Sequence, residues 1–151
     1  MKRGQAATEY ILVATLLFVI LIPAIFLFMT YMKNSTEDLA LSKLNKIGND
    51  IVQSASEVYY LGEPAKITLQ ETIPDGLKSM SIEKNWTKNP PVNHLVFVVS
   101  RQGKSSDMVF ISDVNINGIF TGNMISKGTK NIIVQANRTI AGTPFVSITI
   151  K

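Results

Sequence analysis

From Tyr10 to Met32 the chain runs for 23 residues without a charged side chain. As a helix rising ~1.5 Å per residue, such a run covers ~34 Å, enough to cross a ~30 Å hydrocarbon layer. A secretory signal would carry a shorter apolar stretch and then a polar region ending in small residues. Here the apolar residues continue through Pro23 and Ala24 to Phe28. Lys2 and Arg3 precede the run, and cations mark the cytoplasmic flank of a span, so the remainder is expected on the exported side. Hydropathy taken alone describes a permanent signal anchor holding a domain outside the cell.

The residues before the run add a sharper constraint. Lys2-Arg3-Gly4 leads into Gln5, and a single carboxylate, Glu9, stands immediately before the apolar segment. A charge at that place is costly and seldom incidental. A cut after Gly4 would make Gln5 a new terminus, with its amino group four residues from Glu9 and therefore on the same helical face. This arrangement (basic leader ending in Gly, Gln first in the mature chain, Glu9-Tyr10 before the hydrophobic helix) resembles the class III signal peptide of archaeal type IV pilins. Ala6 stands where the family often has Ser. The resemblance is to adhesive-type pilins rather than to the more Gly-rich archaellins.

The resemblance implies a leader of residues 1–4 removed by a membrane prepilin peptidase at Gly4 and Gln5. It implies a long helix over 5–63 whose residues 10–32 are first a membrane segment and then filament core, Tyr10, Leu12, Leu16, Phe18, Pro23 and Phe26 among them. Residues 64–151 would form the head. The implied partners are identical or related pilin subunits, the peptidase, an assembly ATPase and a membrane platform protein. The implied location is the cell membrane for the precursor and the cell surface for the assembled pilus, with adhesion as its task. Pro23 removes a helical hydrogen bond. It marks either a kink or, as in related pilins, a place where the helix loosens in the filament.

Beyond the apolar run no helix breaker appears until Gly62-Glu63-Pro64, where glycine suits a C-terminus and proline cannot continue. Leu41, Leu44, Gly48, Ile51, Ala55 and Val58 alternate spacings of three and four, a stripe that packs on one side. One helix from about Thr8 to Leu61 is therefore expected, roughly 80 Å long. Its later half would pack on the chain's own domain, whereas its first half has no partner within the chain.

After Pro64 the period becomes two. Ile67 and Leu69, then Met80 and Ile82, alternate with polar residues. Leu95–Val99 and Met108–Ile111 are continuous apolar runs suited to central strands, and Ile132–Val134 with Phe145, Ile148 and Ile150 close the chain. Turn signals fall at Pro74-Asp75-Gly76, Asn89-Pro90-Pro91, Arg101-Gln102-Gly103, Asn117-Gly118, Lys127-Gly128 and Ala141-Gly142. The expected fold class is α+β, a long N-terminal helix packed on an antiparallel sheet of five or six strands, type IV pilin-like.

The net charge is +4. Without Lys2 and Arg3 the chain from Gln5 has 13 basic and 11 acidic residues. Residues 5–63 carry a net −3 and residues 64–151 a net +5, a basic head on an acidic stem. Lys84, Trp86 and Lys88 place an aromatic between two cations, a weak form of the single-strand binding pattern. No helix-turn-helix, zinc or RNA-binding signature accompanies it, so a solvated surface is expected and no nucleic acid partner.

Catalytic chemistry has little to draw on. There is no cysteine and one histidine, His94, and no Gly-rich phosphate loop, HExxH or GxSxG. Neither an enzyme nor a cofactor or metal is expected. Three Asn-x-Ser/Thr sequons begin at Asn34, Asn85 and Asn137. Asn85 and Asn137 are expected in exported turns, and Asn34 beside the membrane on a packed helix. Three functions fit: a structural pilin, a minor pilin or pseudopilin of a secretion or uptake machine, and an uncleaved single-span surface protein with a ligand-binding head.

Overall fold

The computed structural model describes residues 2–85, 92–101, 103–140 and 142–151, with side chains from Thr8 onward except at 85 and 92. The fold class is α+β. Among the described residues one helix, α1 (Lys2–Leu61), is followed by seven strands: β1 (Lys66–Ile73), β2 (Leu77–Asn85), β3 (Val92–Arg101), β4 (Lys104–Ser112), β5 (Ile116–Asn117), β6 (Gly128–Arg138) and β7 (Pro144–Ile150). The chain divides into two compact units, residues 1–36 and 37–151.

Residues 2–36 are helix throughout, beginning six residues earlier than the pattern predicted. Ala6 and Ala7 are strong helix formers and no proline interrupts the start. Pro23 lies inside the helix, which continues past it, although Val19 there loses the donor its carbonyl would bond.

In the second unit the stripe on α1 faces a shared core. Leu44, Ile51, Ala55 and Val58 are buried, Leu41 is half-buried, and Ile47 widens the buried face. The helix ends where expected. Gly62 takes a left-handed backbone (φ 74°) and its amide donates to the Val58 carbonyl at 3.1 Å, a short helical stop that glycine accepts without a Cβ penalty.

The strands form two sheets where one was expected. The first has the order β1-β6-β7-β5, antiparallel except for the β5–β7 pair, which is parallel. The second is an antiparallel β2-β3-β4 meander with an irregularity between Leu77 and Ser79. Inward residues of both sheets (Leu95, Phe97 and Val99 on β3; Ile132, Val134 and Ala136 on β6; Val146, Ile148 and Ile150 on β7) join the α1 stripe in one cluster. Asn93 is buried with them, its amide donating to the Val114 carbonyl, which also accepts from Ser112 Oγ.

Two strand assignments need correction. Met108–Ile111 lies on β4, an edge strand, and Val109 and Ile111 are exposed rather than buried. On β7 the core side carries Val146 with Ile148 and Ile150. Phe145 is odd-numbered and points with Ser147 to the other face, because side chains alternate strictly along a strand. The turn residues Asn89-Pro90-Pro91, Gln102 and Ala141 lie outside the described residues.

Gly48 fixes where helix and sheet meet. A Cβ at Gly48 would stand 2.2 Å from Cζ of Phe110, a ring that also packs edge-on against Phe97 with centroids 5.0 Å apart. The glycine is thus the socket for the Phe110 ring. Gly48→Ala gains up to about 1 kcal/mol of helix propensity, while forcing an extra methyl into a filled core costs about 1–3 kcal/mol. The ring is itself buried and packs on the fully buried Phe97, so it has little room to give and the second effect wins. The full chain in detergent should lose about 1 kcal/mol or more in chemical denaturation, and Phe110→Leu in the same chain should recover part of the loss. A Gly48→Ala chain as stable as the wild type would show that the ring is free to move.

Candidate functional site

The N-terminal unit presents apolar surface on every side. Tyr10, Leu12, Leu16, Phe18 and Phe26 are 76%, 67%, 57%, 62% and 68% exposed, and the residues between them are similar. A soluble amphipathic helix buries one stripe and wets the other; this one has no polar face to wet. Among the described residues α1 is the one helix long and apolar enough to cross a membrane.

The two threonine hydroxyls inside the run are already satisfied. Thr15 Oγ1 donates to the Ile11 carbonyl at 2.8 Å and Thr30 Oγ1 to the Phe26 carbonyl at 2.9 Å. Each hydroxyl bonds one turn back and needs no water, which suits an apolar surrounding. Tyr10 and Tyr31 are both exposed and stand 21 residues apart, ~31 Å along a helix. That spacing puts an amphipathic ring at each face of a hydrocarbon layer. Neither feature follows from hydropathy; the Thr bonds need helical geometry, and the Tyr spacing needs the two ends read together.

Glu9 is exposed at the start of this segment. Gly4 and Gln5 lie within the helical backbone, four residues and more before Glu9, and the Gln5 nitrogen in the uncut chain is a peptide amide. An amino group at Gln5 on the helical face of Glu9 therefore exists only after a cut.

The other singled-out residues fall in the second unit. His94 sits on the middle strand β3 opposite Glu83 and Ile111, half-buried, its Nδ1 buried without a hydrogen-bond partner. Among the described residues no three His, Asp or Glu side chains come together as a metal-holding group. Lys84 is exposed on β2, while Trp86 and Lys88 lie outside the described residues. Lys46 on α1 bonds Asp50 and approaches Glu71 of β1 at 3.6 Å; the Asp50 hydrogen bond first, then the Glu71 charge, raises its pKa.

The sequons are not where the turn signals placed them. Asn85 is the last residue of β2, with Trp86 and Thr87 of its triplet outside the described residues. Asn137 is on β6, half-buried, and its amide nitrogen donates to Ser147 Oγ at 2.6 Å. That nitrogen is the atom a glycan would need. Asn34 is exposed on α1.

The chain matches no family model, no curated protein and no solved structure with which it was compared.

Proposed function

We propose that the chain is a structural subunit of an archaeal type IV pilus-like surface filament, with adhesion as its task. The observation that carries the proposal is the combination of Gly4-Gln5 and Glu9 with a helix, residues 10–32, that is apolar on every side. A signal anchor would need only the apolar helix. The leader ending in Gly, the Gln that would open the mature chain and the carboxylate one turn later have no use in an anchor.

In this reading the precursor is held in the membrane by residues 10–32 until the peptidase cuts after Gly4. The platform protein and the assembly ATPase then draw the subunit out of the bilayer. Lipid contact is replaced by contact with the same segment of neighbouring copies, so the apolar surface never meets water. The unit beginning at Glu37 stays outside this bundle and coats it.

Cutting also creates the charge that assembly requires. Between Gln5 and Met32 the mature chain carries Glu9 and the new α-amino group, and no other charge. A carboxylate moved unpaired into an apolar bundle costs on the order of several kcal/mol. The α-amino group of Gln5, in the same or the next subunit, offsets that cost. A wrong axial register would leave both charges unpaired, so the pair also sets the step between subunits. The helix N-terminus adds a smaller term, ~0.3–1 kcal/mol.

Two measurements test the proposal. Intact-mass analysis of sheared surface material should find a chain beginning at Gln5 or its cyclised form, and Gly4→Val should block the cut. Surface protein still beginning at Met1 would instead identify an uncleaved single-span protein. Glu9→Gln should be inserted and cut but accumulate in the membrane with few filaments. Wild-type filament yield from Glu9→Gln would leave the carboxylate as a helix cap only.

A further inference from the structure

A groove lies where the end of α1 meets the β6–β7 connection, wholly within the second unit. It encloses about 360 Å³ and is lined in part by Tyr59, Tyr60, Glu63, Asn137, Arg138 and Phe145. That volume is at the lower end of the range for small-ligand sites, about 300–1,000 Å³. The tyrosine rings stand edge to face, 5.7 Å apart at 89°, with Tyr59 packed partly against the core. Tyr60 is 78% exposed, so its ring is accessible to a ligand from solvent.

The polar groups around the rings are paired and electrically balanced. Arg138 Nε is 3.9 Å from Glu63 Oε2, so the groove has no net charge on a head whose residues 64–151 carry +5. Asn137 commits its amide nitrogen to Ser147, leaving its carbonyl oxygen to accept.

We infer that this groove binds a short stretch of a neutral polysaccharide met outside the cell. Sugar rings carry weakly positive C–H faces, which match the negative face of an aromatic ring. Their hydroxyls donate and accept, matching a carboxylate and carboxamide oxygen on one side and a guanidinium on the other. A strongly anionic or cationic ligand would find half of the Arg138–Glu63 pair opposed to it. A glycan on Asn137, which lines the groove, would itself occupy the site. The inference rests on the proposed display of the head at the cell surface, but its test needs no filament, so the two fail separately.

The full chain, produced without glycans and held in detergent micelles, should be titrated with maltotriose, cellotriose and N,N′-diacetylchitobiose by saturation-transfer NMR. A heparin fragment and a proline-rich peptide serve as the anionic and peptide probes. At least one neutral sugar should bind, and Tyr60→Ala and Arg138→Gln should each weaken it about tenfold with unchanged thermal unfolding. No binding by any neutral sugar would overturn the inference. So would binding that both variants leave intact, binding confined to the heparin fragment or the peptide, or native protein with Asn137 fully glycosylated.

Discussion

Everything in this molecule is arranged around a helix that water cannot solvate. Eighteen large apolar side chains between Tyr10 and Met32 are each at least half exposed. Burying such a side chain fully stabilises by about 1.5–3 kcal/mol, so the segment forgoes on the order of 20–30 kcal/mol while it stands in water. That drive to leave water exceeds the whole net stability of a folded domain, about 5–15 kcal/mol. The segment must therefore be covered, by lipid or by other protein. The local bonds of Thr15 and Thr30 and the tyrosines at its two ends suit it to the first cover. An apolar surface on all sides equally suits it to the second, since neighbours can pack around the whole circumference.

The same helix changes character after residue 36. From Leu41 onward its apolar residues retreat to one stripe, and the chain supplies its own cover in the form of two sheets. Gly48 lets the Phe110 ring approach the helix backbone, so the second half of α1 is part of the head. In the proposed filament, the unit from Glu37 onward would be folded before assembly and the apolar unit would change partners. The division explains why one long helix can serve two environments without a break in its backbone.

Much of this was legible in the residues because it is local. The apolar run, the three-four stripe and the Gly62 stop all depend on neighbours within a turn or two, and each is found as the spacing predicts. The candidate processing site is legible for the same reason, being a short linear pattern. What was not legible depends on pairing between distant segments. Val109 and Ile111 resemble a central strand until the order β2-β3-β4 puts β4 at an edge. Asn137 is expected in an exported turn, yet β6 continues through it to pair with β7. The parallel β5–β7 pair joins residues about thirty positions apart through only two residues of β5, too short for any periodicity. The groove is the clearest case: Tyr59 and Tyr60 read as helix surface and Phe145 as strand, and nothing local brings them together.

The exchange of lipid for neighbouring copies is tested most directly by electron cryo-microscopy of filaments sheared from cells that make this chain. The map should show a central bundle of helices in which Tyr10–Met32 of every subunit is enclosed by the same segment of other copies, with the first ordered residue at Gln5. The units beginning at Glu37 should form the outer layer. A filament with residues 10–32 on its outer surface would contradict this, as would the absence of any filament while the uncut chain remains in the membrane.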